Sequence, residues 1–161
     1  MKSLRKKLRL NGWDYSQEGA YFLTLCALDR KCLFSKVVGR GILDAPMIQL
    51  YSFGLYIQEA LEYLQNNNPN IMIHNWVIMP NHVHILLSLR REGSASSSAA
   101  NAKIPKFVSS LKRCTNKMAG IKLWQTSYYD HIIRDDEDFL RRWQYIDRNP
   151  SAWNEDDYFT D

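Results

Sequence analysis

Trp76-Val77-Ile78-Met79-Pro80-Asn81-His82-Val83-His84-Ile85-Leu86-Leu87 sets two apolar runs on either side of a Pro-Asn turn. If the second run is a strand, successive side chains point to opposite faces, so His82 and His84 project from the same one. Two imidazoles on one face can share a divalent metal, but they leave its shell incomplete, and a third protein ligand or several waters must be supplied. On its own, a His-x-His pair is more often a pair of ordinary strand histidines than a site.

Outward from the turn, Asn70 to Met79 alternates well enough for one strand, and His82 to Leu89 makes the next. Upstream, Leu50, Phe53, Ile57, Leu61 and Leu64 recur every three or four residues, an amphipathic helix from about Met47 to Leu64 that Asn66-Asn67-Asn68-Pro69 ends. Gly19 to Leu28 is a β-branched and aromatic run and reads as the first strand, and Asp29 to Pro46 as a long connection. Downstream, the Ser- and Ala-rich stretch from about 91 to 103 has no periodicity and reads as a flexible loop. Helical spacing returns from Ile104 to Met118, with Gly120 as a stop, and Ser127 to Arg134 reads as a fourth strand. Asp135 can cap a last helix from Asp136 to Arg148, which Pro150 ends. The order β-α-β-β-α-β-α predicts an α+β fold, a ferredoxin-like split β-α-β antiparallel sheet with one extra C-terminal helix, in a single domain spanning 1–161.

That last helix has two faces. At ~100° per residue, Phe139, Trp143 and Ile146 form the apolar stripe, whereas Asp138, Arg142, Tyr145 and Asn149 share a polar face, with Tyr145 and Asn149 one turn apart. Asn149 can serve as the missing oxygen ligand if this helix packs beside the His82 strand.

The 161 residues are 45% hydrophobic and 12% aromatic, which suits one globular core. No apolar run approaches the ~20 residues that cross a bilayer, and the basic start has no apolar core of a secretory signal. Cys26, Cys32 and Cys114 form no CxxC pair and read as reduced thiols of a cytosolic protein. The net charge of +4 is unevenly placed. Lys2, Arg5, Lys6, Lys7 and Arg9 open the chain without an acid, and Lys103, Lys106, Lys112, Arg113, Lys117 and Lys122 form a second acid-free run. Such segments suit a polyanion, with salt-dependent binding, although a plain solvated surface explains charge alone. A histidine-triad hydrolase would place a third histidine where Leu86 stands, and no His-Glu-x-x-His, GxxxxGK[ST] or GxGxxG motif occurs.

Taken together, the motifs resemble those of the REP-associated tyrosine transposases, relatives of the IS200/IS605-type insertion-sequence transposases within the HUH endonucleases. The matching residues run along the whole chain: Arg9-Leu10, Trp13-Asp14-Tyr15-Ser16, Gly19-Ala20-Tyr21-Phe22 with Thr24, and Met79-Pro80-Asn81-His82-Val83-His84. They continue through Trp124-Gln125, Tyr128-Tyr129-Asp130-His131 with Ile133-Arg134, and Tyr145-Ile146 with Asn149-Pro150 and Trp153. The resemblance implies a single-stranded DNA endonuclease and strand transferase that acts near palindromic hairpins. It implies Mg²⁺ or Mn²⁺ held by His82 and His84, with Tyr145 as the nucleophile that forms a covalent 5′-phosphotyrosine and frees a 3′-hydroxyl. Insertion-sequence relatives carry glutamine where Asn149 stands, and REP-associated relatives commonly carry asparagine, so Asn149 is expected at the metal, directly or through water. Of the nine tyrosines, Tyr128 and Tyr129 sit in a strand where neighbours point to opposite faces, so one or both read as packing residues, and Tyr158 follows Pro150 in an acidic tail, a poor place for a nucleophile that must approach phosphate. For DNA contacts the candidates are Arg5, Lys6, Lys7, Arg9, Lys112, Arg113 and Arg134. The resemblance also implies a prokaryotic, cytoplasmic, nucleoid-associated protein with no membrane partner, acting as a monomer or as a homodimer that exchanges the tyrosine helix. The alternative from another class is a non-catalytic module, a domesticated transposase that only binds hairpins.

Overall fold

A computed structural model describes residues 19–39, 45–90 and 103–160. The expected flexible loop from 91, and Arg5, Lys6, Lys7 and Arg9, lie outside the described residues, although Lys103 itself already belongs to a helix. In chain order come β1 (Gly19–Cys26), β2 (Ser35–Val38), β3 (Met47–Leu50), α1 (Ser52–Asn67), β4 (Ile71–Ile78), β5 (His82–Leu89), α2 (Lys103–Ala119), β6 (Tyr129–Ile132) and α3 (Asp136–Arg148). Two short 3₁₀ turns, Leu28–Arg30 and Trp153–Glu155, follow β1 and α3.

Four strands form one antiparallel sheet in the order β4-β5-β1-β6. Each βαβ half feeds one central and one edge strand, which is the ferredoxin-like arrangement. Alternation along the two central strands sorts their side chains. Tyr21, Leu23 and Leu25 of β1 and Val83, Ile85, Leu87 and Leu89 of β5 face α1 and α2 and form the main core with Ile57, Leu61, Phe107 and Leu111. Phe22, Leu86 and Val77 face the other way and form a smaller core with Ile146 and Trp153 under α3. His82 and His84 also belong to this second face, because they are in phase with Leu86 along β5.

The connection between β1 and α1 is more ordered than its sequence suggests. β2 and β3 pair as an antiparallel hairpin, with Ser35 opposite Leu50. Met47 to Leu50 is therefore strand, and α1 begins at Ser52 instead of Met47. Phe34 fixes this junction: its N–H donates to the Pro80 carbonyl at 3.0 Å and its carbonyl accepts from the Tyr51 N–H at 2.9 Å. A β-carbon on Gly54 would collide with that same Phe34 carbonyl, so the first turn of α1 has room only for glycine there.

In α3 the Asp135 side chain accepts from the Asp138 N–H at 2.7 Å, the cap expected from its sequence. Asp138 then reaches back to β6, where Oδ2 accepts from His131 Nε2 at 2.7 Å and from the Arg134 N–H at 3.2 Å. Burial pushes this carboxyl up, but His131, the Arg134 N–H and Arg142 together hold it below its ordinary value. A carboxylate lowered on folding adds stability that is complete above its unfolded pKa and is lost as the pH falls through the folded one. Asp138→Asn is therefore expected to cost about 1–3 kcal/mol at neutral pH and to flatten the acid limb of the stability curve below pH ~4. Urea unfolding of both proteins across that range checks it.

Candidate metal and nucleophile site

All four strands of the sheet bring their second-face residues together in one row, with Val77, His84, Thr24 and Tyr129 successive cross-strand partners. His84 and His82 are 1% and 0% exposed, and their Nε2 atoms stand 3.1 Å apart. Burial is the main reason that both imidazoles resist a proton: His82 is lowered to about 3, and His84 well below its ordinary value with help from His82 and Arg142. Both are the neutral donors that a metal requires.

Which nitrogen of His82 is bare follows from Asn81. The Asn81 Nδ2 group donates to the Tyr158 carbonyl at 2.7 Å and to the Arg30 carbonyl at 3.2 Å. Carbonyls only accept, so the amide cannot be turned over and Oδ1 must face His82 Nδ1, 2.9 Å away. That nitrogen therefore carries the proton, and Nε2 presents a lone pair to the interior. His84 Nδ1 lies 2.8 Å from Thr24 Oγ1. A hydroxyl can donate or accept, so His84 can pass its proton between its two nitrogens without losing a partner. The Arg30 carbonyl is aimed by a left-handed turn, with φ of 56° at Asp29 and 55° at Arg30.

α3 lies over this row with its polar face inward. Asn149 is 2% exposed and Ile146 1%, while Tyr145 at the rim is 43% exposed. The Tyr145 ring stands 5.2 Å from the His84 ring and 5.9 Å from Phe22, which itself stacks on His84 at 5.0 Å. Burial raises the Tyr145 phenol, the nearby Asp156 charge raises it further, and Asn149 and Arg142 oppose them. The Arg142 guanidinium lies 5.2 Å over Phe22, and its buried Nε has no hydrogen-bond partner among the described residues. Asn149 faces His82, Tyr145 and Asp156. Its Oδ1 is likewise buried and without a hydrogen-bond partner among the described residues. A buried carbonyl oxygen with nothing to accept is costly, and beside the bare His82 Nε2 and the His84 imidazole, whose proton can move to Nδ1, it suits a cation. The 3.1 Å between the imidazole nitrogens also suits one, since adjacent ligands ~2.1 Å from an octahedral ion are ~3.0 Å apart.

Residues 150–160, which carry the acidic tail in which the sequence places Tyr158, fold back onto the site. Trp153 is buried, with its ring 6.0 Å from His82. The Tyr158 ring lies 4.6 Å from the His82 ring, and Arg30 sits 5.6 Å over Tyr158. Burial pushes the Tyr158 phenol up to about 12. Asp156 Oδ2 comes to 3.7 Å from His82 Nε2, too long for a hydrogen bond and facing a neutral ring, so it is not an ion pair. Asp156, Asn81, Thr24 and Arg30 were not singled out as site residues by their sequence context, although Asn81 and Thr24 stand within the quoted motifs.

The remaining candidates divide. Arg113 and Arg134 are exposed, as are Lys106 and Lys117 along the outer side of α2. The Lys112 ammonium turns inward and donates to the Gln125, Thr126 and Ser127 carbonyls at 2.7, 3.3 and 3.3 Å, holding the approach to β6. Burial lowers it to about 8, with the Lys122 charge adding and Cys26 opposing. Tyr128 and Tyr129 pack on opposite faces of the sheet, as their alternation predicts.

The family model described as "Transposase IS200 like" matches residues 51–149, which is more than half of the chain and includes His82, His84, Tyr145 and Asn149. The chain belongs to the IS200-like transposase family. An uncharacterized protein of Haemophilus influenzae is 27% identical to it over 175 aligned positions, covering 98% of this chain and 94% of that one. A second protein of that organism, described as "Putative REP-associated tyrosine transposase", is 29% identical over 80 positions, 45% of this chain and 46% of its own. The solved structure of a REP-associated tyrosine transposase bound to a REP hairpin superposes with a TM-score of 0.60 over 89% of this chain and 72% of that one. At 20% identity the likeness is one of fold. No helix among the described residues is long and apolar enough to cross a membrane.

Because Asn81 fixes the His82 tautomer from outside the ligand set, Asn81→Ala is expected to weaken Mn²⁺ binding by about 10–100-fold while leaving a folded protein. Isothermal titration of the DNA-free proteins measures it.

Proposed function

We propose that this IS200-like transposase is a metal-dependent single-stranded DNA endonuclease and strand transferase, which cuts beside palindromic hairpins through a covalent phosphotyrosine on Tyr145. The observation that carries this reading is the buried convergence of His82 Nε2, His84 Nε2 and the orphaned Asn149 Oδ1 beneath a half-exposed tyrosine. Mg²⁺ or Mn²⁺ held by His82, His84 and Asn149 would supply Lewis-acid polarisation of the scissile phosphate.

Tyr145 does the bond-making. Its Oη attacks phosphorus, the bond from phosphorus to the 3′ oxygen breaks, the phenolic proton passes to solvent, and the departing oxygen takes a proton from solvent to leave a 3′-hydroxyl. The 5′ phosphate stays on Tyr145 as a diester, so attack by a 3′-hydroxyl reverses the step and rejoins strands without ATP. Exposure of Tyr145 lets a polynucleotide reach it, while the fully buried imidazoles keep solvent off their ligating nitrogens. Arg142, one turn back on α3, faces both His84 and Tyr145 with its charge, which favours the phenolate and the incoming phosphate.

A single-stranded cleavage site suits this arrangement, because duplex stacking would hold the phosphodiester away from a nucleophile set against a sheet. Arg113 and Arg134, with the N-terminal Arg5, Lys6, Lys7 and Arg9, grip the phosphates of the flanking hairpin, the contacts that position DNA without reading its sequence. A monomer, or a homodimer that exchanges the tyrosine helix, would bring the same four residues, His82, His84, Tyr145 and Asn149, together at each site.

A labelled single-stranded oligonucleotide, carrying a hairpin and flanking DNA from the gene's own neighbourhood, tests the reading on a denaturing protein gel with Mn²⁺ or Mg²⁺. A covalent band is expected from wild type and from Tyr158→Phe, and none from Tyr145→Phe or His82→Ala. Adduct persisting in Tyr145→Phe but lost in Tyr158→Phe would move the nucleophile to the C-terminal segment. Tight binding with no adduct from wild type would favour the binding-only module.

A further inference from the structure

We propose that Asp156 is also a ligand of the site's divalent cation, so that the C-terminal segment is an integral part of the metal centre. This rests on the metal-dependent reading above and adds to it a residue outside the span matched by the family model, which ends at Asn149.

The geometry comes first. The ligand atoms of His82, His84 and Asp156 all lie within 4.8 Å of one another. The Asp156 side chain is 2% exposed, and its Oδ2 faces His82 Nε2 at 3.7 Å. Since Asn81 keeps the His82 proton on Nδ1, no proton of His82 lies between the two atoms, and Asp156 Oδ2 faces the same Nε2 lone pair that the His84 Nε2 approaches at 3.1 Å. The orphaned Asn149 Oδ1, on a residue 2% exposed and facing both His82 and Asp156, is an independent sign that a cation belongs there.

Charge supplies the second reason. Two imidazoles and an amide are neutral, and the nearest fixed charges include two cations: Arg30 acts on His82 and Arg142 on His84. A dication among these groups, without an anion, would be a buried and uncompensated charge. Asp156 supplies that anion before any DNA phosphate arrives, with the hard oxygen that Mg²⁺ and Mn²⁺ favour.

The carboxylate is also held in place. Its Oδ1 accepts from the Tyr158 N–H at 2.8 Å, and the Tyr158 carbonyl accepts from Asn81 at 2.7 Å. Trp153, three residues earlier, is anchored in the smaller core. Asn81 thus fixes His82 and the segment carrying Asp156 with one amide.

The experiment follows free Mn²⁺ by electron paramagnetic resonance while it is titrated into the DNA-free, full-length protein. Asp156→Asn, which keeps the shape and removes the charge, is expected to bind Mn²⁺ at least about tenfold more weakly than wild type. The exposed neighbour Asp157, changed to Asn, should leave binding within about twofold, and His84→Ala should abolish it. The rise in melting temperature on adding Mn²⁺ should shrink in Asp156→Asn, with the metal-free melting temperature confirming that the variant is folded. Wild-type affinity in Asp156→Asn, together with loss in His84→Ala, would overturn the role of Asp156 and leave the histidine site standing. Wild-type affinity in His84→Ala, or no Mn²⁺ bound by wild type, would overturn the metal reading beneath it as well.

Discussion

The Asn81 amide is locked by two carbonyls that can only accept, and much of the site follows from that constraint. One of those carbonyls belongs to the strained turn after β1 and the other to the segment after α3. The same side chain therefore joins three parts of the chain that are far apart in sequence and decides which nitrogen of His82 is bare. The asparagine of the β4–β5 turn is not simply a turn former. Replacing it would release a tautomer, a loop and a tail together, and such coupled polar networks stand or fall as units.

The two faces of the sheet do different work. The α1 and α2 side buries a long run of aliphatic and aromatic residues and accounts for most of the apolar burial. The α3 side has only a small apolar cluster, and the rest of its area is given to histidines, a threonine and an asparagine. This explains why the polar stripe of α3 faces inward: a helix packed over polar strand residues must bring groups that can pair with them. Asp138 with His131 and the Arg134 N–H, and Asn75 with Asp147, are such pairs. Asn149 Oδ1 lacks one among the described residues, which is the observation behind its proposed role as a metal ligand.

Much of this was legible in the sequence because the deciding patterns are local. β5 and α3 have the bounds read from periodicity and capping, since alternation in His82–Leu89 and the Asp135 cap are nearest-neighbour effects. The β2–β3 hairpin was not, because each strand has four residues, too few to establish alternation, and the intervening glycines and proline resemble a loop. Leu50 was misleading in a specific way: it sits three residues before Phe53 and so extends a helical spacing across a strand end. The placement of the C-terminal segment was illegible for a different reason. Nothing in Glu155-Asp156-Asp157-Tyr158 distinguishes a solvated acidic tail from one whose carbonyl is held by Asn81, a contact spanning 77 residues. Lys112 shows the same limit, as its charge suggested DNA and three carbonyls claim it instead.

The central claim is that the second face of the sheet holds a divalent ion directly beneath Tyr145. Crystals of the DNA-free protein soaked in Mn²⁺ and recorded near the manganese edge test it most directly. The account predicts one strong anomalous peak between His82 Nε2, His84 Nε2 and Asn149 Oδ1. A map with no peak there, or with the ion bound only at acidic groups elsewhere on the surface, would contradict it.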